Sequence, residues 1–367
     1  MSGIRTEEFI VNMGPQHPST HGVCRLMLTM DGEKVIKIVP YIGYLHRALE
    51  KICENRTYHQ CIPILDRFEY VTAMSCNYVF SLAAEKLAQI EVPERAEYLR
   101  VIMLELNRIA SHLIFFGTTA MDLGALTPFL YALRERELIM DLFEMTCGQR
   151  LTYNYIRIGG VSKDIPAEFV PKCREAIKTI GEKVDEYMRL LNGNPIWKVR
   201  TIGVGVLPTD LAVAYGVSGP IARSSGIDFD LRRDDPYSIY DRFDYNVPVR
   251  HNGDVFDRYM LRLDEIKESI KIVEQALDGI PEGDIKAKVS MKFKPPAGEV
   301  YSRIENSRGE LGVYLVSDGT DKPMRVKTRG GSYNHLQVLP EFGTDCLIAD
   351  LVAIFASFDI IMPEVDR

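Results

Sequence analysis

The stretch Gly14-Pro15-Gln16-His17-Pro18-Ser19-Thr20-His21-Gly22 puts two of the chain's seven histidines into a loop stiffened by two prolines. The spacing His17-x3-His21 would place both imidazoles on one face of a helix, the way many zinc pairs are presented. Pro18 removes a backbone donor between them, and Gly14 and Gly22 bracket the segment with turn chemistry, so it reads as a loop. No cysteine or acidic residue lies inside it to complete a metal site. Two readings stand side by side. One is a rigid turn whose histidines are hydrogen-bonded surface groups; the other is a histidine held still to deliver a proton near neutral pH.

Working outward, Phe9, Val11 and Met13 alternate along Glu7 to Met13 and predict a strand that leads into the loop. After the loop, Val23 to Met30 and Glu33 to Val39 flank Asp31-Gly32, a tight-hairpin signal, with Leu26, Leu28, Ile36 and Ile38 on one buried face. From Tyr44 to about Leu191 helical periodicity replaces alternation. A short helix is expected over His46 to Glu54, ahead of a break at Pro63. Asp66 and Glu69 read as cap and third helical residue of a long helix carrying Val71, Met74, Tyr78, Val79 and Leu82. Pro93 opens another, striped by Leu99, Ile102, Leu106, Ile109 and Leu113 as far as Gly117. Further helices run from Thr127-Pro128 to Cys147 and from Pro171 to Asn192, with Gly148 and Gly193 as stops. Residues 203–249 read as loops and short elements, and Asp254 to Asp278 as a helix. Residues 285–340 read as strands turning at Ser307-Arg308-Gly309 and Asp318-Gly319, before a last helix near Asp350 to Ser357 and a tail to Arg367. The pattern predicts an α+β protein in three regions forming one functional unit: an N-terminal antiparallel sheet (1–43), a mainly helical core (44–284) and a C-terminal β region with a last helix (285–367).

The chain has 367 residues, 46% apolar and 26% charged, which is the composition of an ordinary globular protein with room for two domains or one large core. A net charge of −7 without a basic, aromatic-interleaved run argues against a nucleic-acid partner. The seven cysteines are scattered with no C-x-x-C, and no signal peptide precedes them, which argues against a disulfide framework or a self-contained metal cluster and for a reducing compartment. The apolar run Cys346 to Met362 is interrupted by Asp350 and Asp359 and is too short to span a bilayer, so membrane association is expected through partners.

Beside the histidine loop, Tyr70 lies in the first turns of a long helix, where a tyrosine is usually an amphipathic core residue. Asp122 falls in the break between Gly117 and Gly124, the ordinary place for a capping acid. Arg47 opens a helix, where an arginine is usually solvated. Arg134-Glu135-Arg136-Glu137 reads as a mixed-charge helix face. With no nucleophile motif, phosphate loop or metal signature, proton-donor loop and tyrosine together suit a site that protonates a substrate reduced by electrons from elsewhere.

Several motifs then carry a resemblance: Gly14 to Gly22, Gly43-Tyr44-Leu45-His46-Arg47, Arg100 to Arg108, Gly124 to Phe129, Arg134 to Glu137, Arg157-Ile158-Gly159-Gly160 and the terminal Glu364-Val365-Asp366-Arg367. In order and without large gaps from about Glu8 to Arg367, they closely resemble the D, or 49 kDa, subunit of respiratory complex I. The resemblance implies a peripheral-arm subunit of a proton-translocating NADH-quinone oxidoreductase, on the cytoplasmic side of a cell inner membrane or encoded in an organelle. It would form the quinone headgroup pocket against a small subunit, the B type, that carries the terminal 4Fe-4S cluster. The C, ferredoxin-like I and membrane H subunits are its other implied partners. The resemblance implies that Tyr70 and His21 hold the headgroup of a ubiquinone, menaquinone or plastoquinone, that Asp122 pairs with His21, and that Arg47 lies near the cluster. No metal is expected on the chain itself.

The family is also similar to nickel-iron hydrogenase large subunits, where two C-x-x-C pairs hold the metal. Here Glu69, Thr72, Ile361 and Glu364 stand at those places, and a site without soft thiolates is not a hydrogenase. Many relatives carry a histidine where this chain has Thr152, so a weaker pH dependence of the cluster potential is expected. Three alternatives remain open: a non-catalytic scaffold of the peripheral arm; a large subunit of a related membrane-bound hydrogenase-type complex fed by ferredoxin or a deazaflavin; and a zinc hydrolase using His17 and His21, which would require stoichiometric zinc.

Overall fold

The computed structural model describes residues 7–20 and 22–367. Strands β1 (Glu8–Met13), β2 (Gln16–His17), β3 (Gly22–Val23), β4 (Arg25–Asp31) and β5 (Lys34–Tyr41) come first. β1, β4 and β5 form an antiparallel sheet in the order β1-β4-β5, and β2 pairs with β3 across the histidine loop at the end of that sheet away from the β4–β5 turn. Strict alternation on β4 turns Leu26, Leu28 and Met30 inward. The two-residue turn is Gly32-Glu33, one residue later than expected, because Asp31 pairs with Lys34. A register shift at Thr29/Met30 leaves Ile36 without a partner. Such a bulge reverses the faces beyond it, so Val35 and Ile38 are buried while Ile36, expected inside, points outward.

The helices follow: α1 (Leu49–Cys53), α2 (Tyr58–Leu65), α3 (Ala73–Ala88), α4 (Glu94–Asp122), α5 (Leu126–Cys147), then the short pair β6 (Ile156–Arg157) and β7 (Gly160–Val161), and α6 (Phe169–Asn192). Pro63 lies inside α2, not at a break, and Asp66 ends that helix as its C-cap. The next element starts later than expected. Glu69 caps a 3-10 turn, Tyr70–Thr72, that runs into α3. α4 passes through Gly117 to Asp122 instead of stopping there. The glycine serves a close approach: a Cβ on it would lie 3.0 Å from the Phe129 ring and 3.3 Å from Ala132 Cβ, both on α5.

Short helices α7 (Pro195–Thr201), α8 (Thr209–Ala214), α9 (Gly219–Ser224) and α10 (Leu231–Asp234) precede α11 (Val255–Gly279), which is capped by the Asp254 carboxylate at 2.8 Å from the Asp257 amide. The chain closes with β8 (Gly298–Asn306), β9 (Gly309–Ser317), β10 (Arg325–Arg329), α12 (Gly331–Phe342), α13 (Ile348–Ser357) and α14 (Met362–Asp366). Residues 331–340, expected in strands, are helical: their buried positions, Ser332, His335, Leu336 and Leu339, follow a helical stripe, not alternation.

α4 is the axis of the larger core, lying along α5 on one side and α11 on another, with the β8–β9 sheet against α3. A second core sits where the N-terminal sheet meets α12 and α13, and residues Asp345 to Ile348 run along β5 with backbone bonds of 2.8–3.0 Å. No helix among the described residues is long and apolar enough to cross a membrane. Mixed elements, a leading antiparallel sheet, central helices and trailing strands make the α+β class expected from the pattern.

At the β8–β9 tip two glycines touch. Gly219 has φ +65, and a Cβ there would lie 2.3 Å from Gly309 Cα. Gly219→Ala should therefore cost roughly 2–4 kcal/mol through contact and backbone strain together. Gly203→Ala, at φ +71 in open space, should cost only the strain. Thermal unfolding of the two variants side by side measures the difference.

Candidate functional site

Hairpin tips normally lie in water, yet the two-residue tip Ser307-Arg308 is buried, with Arg308 only 1% exposed. Its guanidinium finds anions from two distant parts of the chain. Nη1 donates to Glu69 Oε1 at 2.9 Å, Nη2 to Asp359 Oδ1 at 3.0 Å, and Nε to the Asp359 carbonyl at 2.7 Å. The other Glu69 oxygen accepts from Asn306 Nδ2 at 2.9 Å, and its Oε1 also takes the Thr72 amide at 3.2 Å. Burial pushes the Glu69 carboxyl up, with Arg308 and Asn306 pulling it back. Because Glu69 caps the 3-10 turn, the same ion pair fixes the residue that follows it, Tyr70.

Tyr70 lines a cavity of about 330 Å³. Val71, Ile114, Leu151, Ile360 and Ile361 supply apolar wall; Thr118, Arg136, Arg308 and Asp359 supply its polar groups. Apolar walls with a few convergent polar groups are the usual make-up of a small-molecule site. Burial raises the Tyr70 pKa above its usual 10, opposed by Arg308 and reinforced by Glu69 and Asp359. Tyr70 and Leu151 are shared with a second cavity, about 450 Å³, whose other walls include Arg47, Arg67, Tyr44, His46 and Thr152. Arg47 and Arg67 are exposed and form no ion pair with any described residue. The loop bearing Arg47 is held by α14: the Asp366 carboxylate accepts from the Gly43 and Leu45 amides at 2.7 Å each, and the Arg47 amide donates to the Arg367 carbonyl at 3.4 Å.

Of the residues singled out from the sequence, Tyr70 and Arg47 therefore line adjoining cavities. His21 lies outside the described residues. Its neighbour Gly22 abuts Met362, the residue after the cavity-lining Ile361: a Cβ on Gly22 would sit 3.1 Å from Met362 Cγ. His17 accepts a hydrogen bond from the Ser19 amide at its Nδ1, 3.2 Å, inside its own loop. Asp122 is the half-buried last residue of α4, not a loop residue between helices, and shares a helical face with the cavity residues Ile114 and Thr118. The run Arg134–Glu137 is more than a solvated face. Glu135 is buried and accepts from the Tyr187 hydroxyl, and Arg136 reaches the cavity, where burial lowers its pKa. Arg308, Asp359 and Leu151 also line these cavities, and no motif in the sequence marks them as site residues. Their only sequence signals were a turn tripeptide and a charged residue interrupting an apolar run. Among the described residues no group of three or more histidine, cysteine or acidic side chains could hold a metal ion.

A family profile described as the 49 Kd subunit of the respiratory-chain NADH dehydrogenase matches residues 122–293 and 287–367. The chain belongs to that family. It is 53% identical over 365 residues to the D subunit of NADH-quinone oxidoreductase from Dehalococcoides mccartyi, covering 99% of this chain and 100% of the relative. The D subunit from Clostridium beijerinckii is 51% identical over 364 residues (99% and 98%), and that from Bacillus anthracis 50% over 364 residues (99% and 100%). Membership makes this 49 kDa-family chain one component of an oxidoreductase complex.

Arg308→Met removes the cation from two buried carboxylates and should cost about 3–5 kcal/mol, the usual penalty for orphaning a buried ion-pair partner. Glu69→Gln in the same chain should return part of that loss. A double-mutant cycle by thermal unfolding tests it; additive effects would mean that the pair does not act as one unit.

Proposed function

We propose that this chain forms the quinone headgroup site of an NADH-quinone oxidoreductase, with Tyr70 and His21 as headgroup donors. The observation that carries the reading is the placement of Tyr70: it lines an apolar-walled cavity together with Arg308 and Asp359 of the Glu69–Arg308–Asp359 cluster. Reduction of a quinone to a quinol takes two electrons and two protons. The electrons come from a 4Fe-4S cluster that a small partner subunit carries. This chain's part is to hold the ring, exclude water and deliver protons to the two carbonyl oxygens.

A tyrosine suits one of these tasks. Its proton is held at neutral pH, so it donates a hydrogen bond to a carbonyl oxygen in the resting site and gives up its proton only as negative charge grows on that oxygen. A histidine in the loop beside Met362 can supply the second proton near neutral pH, and Asp122, at the end of the Ile114–Thr118 face, is its proposed partner. Arg47 and Arg67, exposed at the second cavity, are the proposed face toward the small subunit, where positive charge favours the reduced cluster. Thr152 lines that same cavity, at the place where a titrating histidine would tie the cluster potential to pH. The other proposed contacts are the C, ferredoxin-like I and membrane H subunits, with the chain peripheral on the cytoplasmic side of the membrane.

Tyr70→Phe keeps the ring and removes the donor. In the assembled complex it should lower the quinone reductase rate by about 10²-fold or more, the usual size of a lost general acid, while donor oxidation by an artificial acceptor that bypasses the quinone continues. Wild-type rates in both assays would make Tyr70 a packing residue and move the site elsewhere.

A further inference from the structure

Three residues after the cavity-lining Ile361 comes an acid that the mechanism above does not use. Glu364, on α14, is 1% exposed. Its Oε2 accepts from the Ser332 hydroxyl on α12, and that hydroxyl accepts in turn from the Ile361 amide at 3.3 Å. Its Oε1 has no hydrogen-bond partner among the described residues, and neither has Asp359 Oδ2 at the cavity itself. The carboxyl is pressed against Gly330, where a Cβ would lie 2.1 Å from Oε1, so the acid occupies room that only glycine leaves.

The charged groups facing Glu364 are the Glu69 carboxylate, from the turn before α3, and the Arg308 guanidinium, from the β8–β9 tip; the Cys76 thiol faces it from α3. The hydrogen bonds of Arg308 go to Glu69, Asp359, Ser111 and Ser307, leaving Glu364 without a cation of its own. The three acids around this arginine are therefore unlike. Glu69 and Asp359 are ion-paired. Glu364 is the one with no ion-pair partner among the described residues, and burial pushes its carboxyl toward the protonated form.

We propose that Glu364 is an internal proton store for the Tyr70 cavity, returning a proton to Tyr70 after the tyrosine has given its own to the substrate; this rests on the quinone-site reading above. In that step the O–H bond of Glu364 breaks, the O–H bond of Tyr70 forms, Glu364 is left as a carboxylate and no electrons move. The carboxylate is then refilled from solvent. The direction is downhill. Burial, reinforced by Glu69 and opposed by Ser332 and Arg308, brings the Glu364 carboxyl up to about 7, whereas Tyr70 lies above 10. An acid near 7 is also half-filled at working pH, which suits a group that must be both emptied and refilled.

The test is the pH profile of the quinone reductase rate in the assembled complex, divided at each pH by the bypass rate. Since the protonated acid is the active form, the wild-type ratio should fall as pH rises through about 7. Glu364→Gln should give a lower ratio without that limb, and should remove an infrared carbonyl band of a protonated carboxylic acid that titrates near the same pH in the wild type. Ser332→Ala keeps the acid but takes away the hydroxyl that favours its charged form, so the limb and the band should both move to higher pH. This variant also decides the matter should Glu364→Gln not assemble. A Glu364→Gln complex with the wild-type ratio and limb, a band that survives it, or an unmoved limb in Ser332→Ala overturns the proposal. If Tyr70→Phe abolishes the quinone rate and Glu364→Gln does not change it, the store alone is wrong. If Tyr70→Phe leaves the quinone rate intact, the site reading fails, while the infrared band still reports whether Glu364 is protonated.

Discussion

The structure turns on one guanidinium in an unusual place. Arg308 sits at the tip of a two-residue hairpin, where a side chain is ordinarily solvated, and instead enters the interior to meet Glu69 from the start of α3 and Asp359 from the end of α13. Three segments far apart in sequence are thereby tied to one group. Each would be costly to bury alone, and together they are tolerable because Arg308 donates to Glu69 Oε1 and Asp359 Oδ1 while Asn306 donates to the other Glu69 oxygen. The cavity wall is built from residues next to these anchors: Tyr70 and Val71 beside Glu69, Ile360 and Ile361 beside Asp359. The ion pairs and the candidate site are thus one construction.

The same device recurs deeper in the core. Glu265 on α11 meets Arg223 at 2.7 Å and His112 at 2.8 Å; Arg223 also meets Glu305 at 2.8 Å; Arg232 bridges Asp230 at 2.7 Å and Glu105 at 3.1 Å. All of these side chains are buried, and they join α4, α9, α10, α11 and β8. Burial works against the charge on Glu265, but Arg223 and His112 hold its carboxyl well below the usual range. Buried pairs of this kind add little net stability compared with apolar packing, yet breaking one strands its partner. Such a framework favours one arrangement of helices over near alternatives, and the proposed site, which would hold a ring and pass protons, depends on that fixed arrangement.

Much of this was legible in the residues. Alternation along Phe9 to Met13 and Leu26 to Met30, the stripe from Leu99 to Leu113, and the stops at Gly148 and Gly193 express local preferences that the tertiary structure leaves unchanged. The misreadings share a cause: each depends on a neighbour that the sequence does not show. Gly117 looked like a helix end, but it is where Phe129 and Ala132 press against α4. Ile36 left the buried face because of a bulge set by pairing with β4. Ser307-Arg308-Gly309 was readable as a turn, but nothing in it tells that the turn is buried, and so Arg308 and Asp359 stayed outside the candidate site. Tyr70 was singled out because its residue type suits the chemistry and because of the family resemblance, not because of its spacing.

The account is tested most directly by where a headgroup lands. A photoreactive quinone analogue, bound to the assembled complex and mapped by mass spectrometry, should label the cavity walls at Tyr70–Val71, Ile114–Thr118, Arg136, Leu151 or Asp359–Ile361, and excess unlabelled quinone should suppress those adducts. Competable adducts on this chain that fall elsewhere, with none on these walls, would contradict it.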